Sequence, residues 1–123
     1  MSKHLLIVLV SALTSFSLSV HGDINKWDIA ESEIKRLSPD IFPKLPTIIR
    51  NDLKNNACKI PQTYISNEPH NVISGSFEKL GQLDWAVLCS IKGSSTIRIY
   101  WNGKLERLVE IEASKDRGWL QGI

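Results

Sequence analysis

Asp84-Trp85-Ala86-Val87-Leu88-Cys89-Ser90-Ile91 is the stretch on which the fold turns. In an extended chain Trp85, Val87, Cys89 and Ile91 share one face, while Ala86 and Leu88 are apolar on the other. A strand apolar on both faces reads as the central strand of a sheet. The same period of two runs through 72–77 and 96–101, separated from it by glycine-containing turns. In 96–101, Ile97, Ile99 and Trp101 alternate with Arg98 and Tyr100. Asn102-Gly103 is then a type I′ turn signal, which predicts a hairpin into a fourth strand with Leu105, Val109 and Ile111 on one face. Leu105, Leu108 and Val109 would also line a helix; the turn favours the strand.

Upstream the period lengthens. Ile24, Trp27, Ala30, Ile34 and Leu37 recur every three or four residues, so 23–37 reads as a helix capped by Asp23 and stopped at Ser38-Pro39. Residues 39–46 carry Pro39, Pro43 and Pro46 and read as an irregular link. Pro46 suits the first turn of a second helix running to Asn56, with Ile48, Ile49 and Leu53 inward. Residues 60–71, with Pro61, Asn67, Pro69 and Asn71, read as loop with room for a short edge strand at 63–65.

The N-terminus places Lys3 ahead of the apolar run Leu5-Leu6-Ile7-Val8-Leu9-Val10, the pattern of a cleavable signal peptide. The expected cut follows Gly22, leaving 23–123 as one small domain. The run is shorter than the roughly 20 residues of a membrane span, so no stable span is expected after cleavage. Lys3 is the one charged residue of that segment, and the formal charge of +2 falls to +1 without it. A near-neutral chain with dispersed basic residues gives no electrostatic footprint for nucleic acid. Export to the periplasm or the medium favours pairing the two cysteines, Cys58 and Cys89, as a disulfide. The apolar end 118–123 is expected either to dock on the core or to continue into a longer chain.

The segment 75–88, Gly75-Ser76-Phe77-Glu78-Lys79-Leu80-Gly81-Gln82-Leu83-Asp84-Trp85-Ala86-Val87-Leu88, resembles the strand-loop-strand unit of FG-GAP and VCBS-type repeats. In those repeats the loop is an acidic calcium site. Here its alternating positions hold Ser76, Glu78, Leu80 and Gln82, too few acids for calcium. No metal or cofactor is therefore expected, and Asp84 beside Gly81 is expected to accept backbone hydrogen bonds from the turn. Cys58-Lys59-Ile60-Pro61-Gln62 and Asp84 to Cys89 together resemble a family of small exported bacterial proteins, a likeness that implies no activity. Ser74-Gly75-Ser76-Phe77 faintly resembles a loop of periplasmic lysozyme inhibitors, with the aromatic displaced by one position.

His70 is the one histidine beyond the signal segment, and a general base would need a nucleophile and an orienting acid within reach. The serines lack a Gly-x-Ser-x-Gly elbow. No catalytic set is therefore assigned. The tryptophans at 27, 85, 101 and 119 are expected in the core. Arg98 and Tyr100, opposite Trp101 on their strand, are the expected exposed contact pair, with His70 a further candidate for a binding surface.

Together these readings give an α+β fold: two N-terminal helices on one face of an antiparallel sheet of three or four strands, stapled by Cys58–Cys89. The expected function is a non-enzymatic binding module, inhibitor-like or immunity-like, whose partner is another exported or periplasmic protein. A hydrolase using His70 with Glu68 or Asp84 is the enzymatic alternative. A structural accessory domain continuing past Ile123 is the third.

Overall fold

The structure is a computed structural model that describes residue 15 and residues 25–120, with side chains as far as 118. The proposed signal segment 1–22, residue 15 apart, and the proposed cap Asp23 lie outside the described residues, as do the apolar side chains of the C-terminal end. In chain order the elements are α1 (Lys26–Ser32), β1 (Arg36–Leu37), α2 (Thr47–Asn55), β2 (Ile60–Pro61), β3 (Val72–Gly75), β4 (Asp84–Ile91), β5 (Ser94–Tyr100), β6 (Leu108–Lys115) and α3 (Asp116–Leu120). Short 3-10 turns lie at Pro39–Ile41, Trp101–Gly103 and Leu105–Arg107.

β3, β4, β5 and β6 pair in that order as an antiparallel meander, and β1 with β2 forms a separate two-stranded sheet. β4 has neighbours on both sides, as its double apolar faces require. A two-residue turn, Lys92-Gly93, joins it to β5. Both residues have positive φ (50° and 79°), the twist a tight hairpin needs.

One sheet face forms the core. Trp85, Val87, Cys89 and Tyr100 meet Ile49 and Leu53 of α2, together with Phe42, Leu45 and Ile60. The disulfide Cys58–Cys89 brings the segment after α2 to within 5.1 Å (Cα to Cα) of β4. The next residues along, Lys59 and Ser90, exchange two backbone hydrogen bonds of 3.0 and 2.8 Å.

The expected pair of N-terminal helices on a single sheet is overturned. Among the described residues there are three short helices and two sheets, and strand dominates. α1 ends at Ser32, capped by Asn25, whose side chain accepts the Trp27 N–H, and none of its residues is buried. Arg36–Leu37 is extended because it pairs with Ile60–Pro61, and Lys35 O accepts the Gln62 N–H at 2.8 Å. Those tertiary backbone bonds replace the intrahelical ones that the 3.6 period of 23–37 would have made. Ser38-Pro39, read as a stop, instead starts a turn in which the Ser38 hydroxyl accepts the Asp40 N–H.

Smaller corrections follow the same logic. Ile48 is half-exposed, while Ile49 and Leu53 are fully buried. Trp27 is 51% exposed, so the expectation of a buried tryptophan fails there and holds for Trp85. Asn102 and Gly103 do adopt positive φ (53° and 66°), yet they belong to a longer connection over 101–107 that returns the chain as β6 at Leu108. Strand 72–77 stops at Gly75, where the Phe77 ring lies so close that a Cβ on Gly75 would come within 2.9 Å of it. Among the described residues no helix is long and apolar enough to cross a membrane.

The disulfide closes a loop with a sequence separation of 31. In the chain-entropy account this stabilises by about 3 to 4 kcal/mol. The Cys58→Ser/Cys89→Ser variant should therefore unfold at clearly lower urea than the oxidised wild type. Reductant should move the wild type onto the variant's curve and leave the variant unchanged.

Candidate functional site

Two adjoining clefts share Ile41 and Pro69 as their common ridge. The smaller, about 350 Å³, lies between the 33–37 segment and the 62–69 loop. The larger, about 540 Å³, lies between the 41–45 loop and β3, with Phe42, Leu45, Val72 and Trp85 as its apolar lining and Lys44, Glu68 and Ser74 as its polar lining. A volume of this order is typical of a ligand pocket.

Both walls are fixed by side chains that reach across short loops. The Arg50 guanidinium of α2 donates through one Nη2 to the carbonyls of Phe42 (3.0 Å), Pro43 (3.4 Å) and Leu45 (3.0 Å), wrapping the 41–45 loop around itself. Lys54 pairs with Asp40 at the foot of that loop. On the other wall the buried Gln62 side chain behaves like a strand, accepting the His70 N–H and donating to the His70 carbonyl, both at 2.8 Å. Asn71, at φ 70°, donates from Nδ2 to the Pro61 carbonyl. The loop so tied presents Tyr64 and Ile65, each 68% exposed.

His70 belongs to this bracing. Its Nδ1 lies 2.8 Å from the Glu68 carbonyl, which can only accept, so Nδ1 carries the proton. Nε2 then accepts the Thr63 N–H at 2.9 Å and sits 2.8 Å from the Thr63 hydroxyl. Both ring nitrogens are spent on backbone and hydroxyl groups of one loop. Among the described residues no carboxylate hydrogen-bonds the ring, and Asp84 is engaged elsewhere. The pairing of His70 with Glu68 or Asp84 that a hydrolase would need is thus not assembled.

Arg98 and Tyr100 were expected at the surface and are instead 4% and 0% exposed. The reason is Asp52 on α2. Its Oδ2 accepts from Arg98 Nη2 and from the Tyr100 hydroxyl, both at 2.7 Å, and Arg98 Nε donates to the Tyr100 oxygen at 3.0 Å. Glu110 of β6 takes Arg98 Nη1. Burial raises the Tyr100 hydroxyl well above its ordinary pKa; Arg98 works against that shift and Asp52 adds to it. This cluster ties α2 to β5 and β6 and is not an exposed contact pair.

In the loop with the calcium-site resemblance, Asp84 is the hub. Its Oδ2 accepts the N–H of Phe77 (2.9 Å) and Glu78 (3.3 Å), and its Oδ1 accepts the N–H of Asn102 (2.8 Å). Gly81 makes the turn at φ 79°. The Gln82 amide donates to Glu78 at 2.6 Å and to Asp84 at 2.7 Å, standing between the two carboxylates. Arg107 pairs with Glu78 from outside. Three backbone N–H groups and the Gln82 amide thus satisfy Asp84, and the Gln82 amide and the Arg107 guanidinium satisfy Glu78. Burial pushes Asp84 up, but the Asn102 N–H, the Gln82 amide and the N–H groups of Phe77 and Glu78 together hold it below its ordinary value. Among the described residues no group of three or more His, Cys, Asp or Glu side chains forms a metal site.

A second fully buried acid had no sequence signal. Asp116, fully buried at the start of α3, accepts the hydroxyls of Ser90 and Ser95 at 2.5 Å each and Arg36 Nε at 2.8 Å. Ser95 reads in the sequence as an ordinary turn serine, and only the sheet register brings it opposite Ser90. The larger cleft was missed for a related reason. Its Phe42 and Leu45 lie in the proline-punctuated link, whose apolar residues carried no period to read.

No protein family, curated protein or solved structure matches this chain.

For Asp116, burial raises the pKa, and Ser90, Ser95 and Arg36 outweigh it, leaving the carboxyl below its ordinary value. A depressed folded-state pKa contributes stability above the unfolded value, near pH 4, and that stability is lost as pH falls through the folded value. Urea unfolding of wild type should therefore weaken steeply below about pH 4. Asp116→Asn should be less stable at pH 7, by about 2 to 4 kcal/mol, with a flatter acid slope. An unchanged slope would mean that Asp116 is not an acid anchor.

Proposed function

We propose that this chain is an exported, non-enzymatic binding module that engages another exported protein at the larger cleft. The observation that carries the reading is the cleft itself: about 540 Å³, bordered by the well-buried Phe42, Leu45 and Trp85, with walls already hydrogen-bonded in place. A site ordered in advance loses little conformational entropy on binding. The disulfide supports export, because such bonds persist in oxidising compartments. The signal-like N-terminal pattern points the same way. His70 supports the non-enzymatic side, since both its ring nitrogens are engaged in the loop.

The test is affinity capture from exported fractions by the oxidised protein, with Ser74→Trp as the control. Ser74 is exposed and lines the cleft, so a large side chain there should fill the cleft without entering the core. The expected outcome is a partner retained by wild type and lost with Ser74→Trp, while the urea midpoint of the variant stays within error of wild type. A partner held equally by both would place binding elsewhere on the molecule.

A further inference from the structure

We infer that the larger cleft takes an extended peptide segment, added as a strand to the open edge of β3, with alternate apolar side chains entering the cleft. The inference rests on the binding-module reading and names the form of its partner.

The ladder geometry leads to it. Leu88 N–H donates to the Asn71 carbonyl at 3.0 Å, and the register continues Val72 with Val87, Ile73 with Ala86, Ser74 with Trp85 and Gly75 with Asp84. In an antiparallel pair, hydrogen-bonded and non-bonded pairs alternate. Starting from Asn71 and Leu88, the bonded pairs are Ile73 with Ala86 and Gly75 with Asp84. The N–H and C=O groups of Val72 and Ser74 therefore point away from β4, toward the open edge. They meet no backbone partner there among the described residues.

Val72 and Ser74 are also the β3 residues that line the cleft. A strand bonded to those two residues places the residues directly opposite them on the same sheet face. Two side chains of the incoming strand, at positions i and i+2, would thus point into the cleft over Phe42, Leu45 and Trp85. Backbone bonds then give affinity and the cleft selects apolar side chains. On the polar side, Lys44 and Glu68 form no ion pair among the described residues, so charges of opposite sign on the incoming segment complement them. A segment with an acidic residue beside its apolar pair fits Lys44.

The other open edge is defended. β6 carries Glu110, Glu112 and Lys115, and its register with β5 breaks between Ser95 and Ile97, where Glu112 adopts φ 46°. A bulge and charges are the usual protection of an edge against a further strand. β3, read Val72-Ile73-Ser74-Gly75, has neither charge nor break.

The probe is a set of end-blocked heptapeptides alternating threonine with large apolar residues, with one aspartate moved through the positions. It is titrated against the oxidised full chain by fluorescence anisotropy and by amide hydrogen exchange. Peptides with apolar residues at i and i+2 should bind and slow exchange of the Val72 and Ser74 amides. Ser74→Pro removes the outward N–H without touching the β3–β4 ladder, a change edge strands tolerate, and should weaken binding about tenfold. Lys44→Glu should abolish the preference for aspartate. Failure of every peptide to bind, or binding that leaves both amides and the Ser74→Pro affinity unchanged, overturns strand addition. A dimer of the chain alone that Ser74→Pro dissolves would overturn it in favour of a second copy as the occupant. An exported protein captured equally by wild type and Ser74→Pro overturns strand addition and leaves the binding-module reading standing; no captured protein and no bound peptide overturns both.

Discussion

The covalent bond between Cys58 and Cys89, with the two backbone hydrogen bonds exchanged by Lys59 and Ser90 beside it, is the constraint on which the arrangement depends. β4 shares one edge between two neighbours: β3 over Asp84 to Val87, and Lys59 at Ser90. Without the clamp, the second neighbour would be held by one isolated bridge. With it, Ile60 and Pro61 are delivered to the end of the sheet, where they pair with Arg36 and Leu37 and build the small sheet. Gln62 follows at once and ties down the 62–70 loop through His70. One wall of each cleft is thus a downstream consequence of the clamp.

The interior holds charged side chains as well as an apolar core. Asp84, Asp116 and Arg98 are all nearly or fully buried, and each is met by several hydrogen-bond partners. A buried charge costs several kcal/mol unless it is paired and its remaining lone pairs are satisfied. Apolar substitutes could supply equal stability, so these clusters are better understood by what they connect. Asp52 with Arg98 joins α2 to the sheet, Asp116 with Arg36 joins α3 to β1, and Asp84 joins the 76–83 loop to the turn after β5. Each is directional, and directional contacts fix one orientation where aliphatic packing would admit several. A cleft formed between loops needs that definition more than one formed between long helices.

How much of this could be read from residues alone follows from the range of the forces involved. β4 was legible to its ends, because a strand apolar on both faces has one environment available to it. α2 was legible within a residue or two, and the two cysteines paired as expected. The N-terminal helix was not, because Ile34 and Leu37 satisfy a helical period that backbone pairing at Arg36 and Leu37 overrides. The cleft was illegible in kind: its apolar residues come from an irregular link and from two strands, β3 and β4, well downstream of it. The one local hint was the pair Ile41-Phe42 in a proline-bracketed segment, of which Phe42 is buried and Ile41 is half-exposed on the ridge between the clefts.

The most instructive inversion lies in β5, where alternation was read correctly and its direction was not. Ile97 and Ile99 suit a core, and Arg98 and Tyr100 suit water, yet the strand turns the polar pair inward. Asp52 decides this, since it offers the guanidinium and the phenol a shared acceptor at the buried face. The aliphatic residues then fall on the outer face in register: Ile73, Ala86, Ile99 and Val109 form one row across all four strands, with Leu88, Ile97 and Ile111 forming the next. Adjacent β-branched side chains in such rows contribute about 0.2 to 1 kcal/mol per pair through cross-strand contact. The outer face thus holds the sheet together laterally, while the inner face attaches it to α2 through the apolar core around Ile49 and Leu53 and through the Asp52 cluster. That division of labour leaves β3, which alone of the four strands in the meander has no charged anchor of its own, as the least encumbered edge of that sheet.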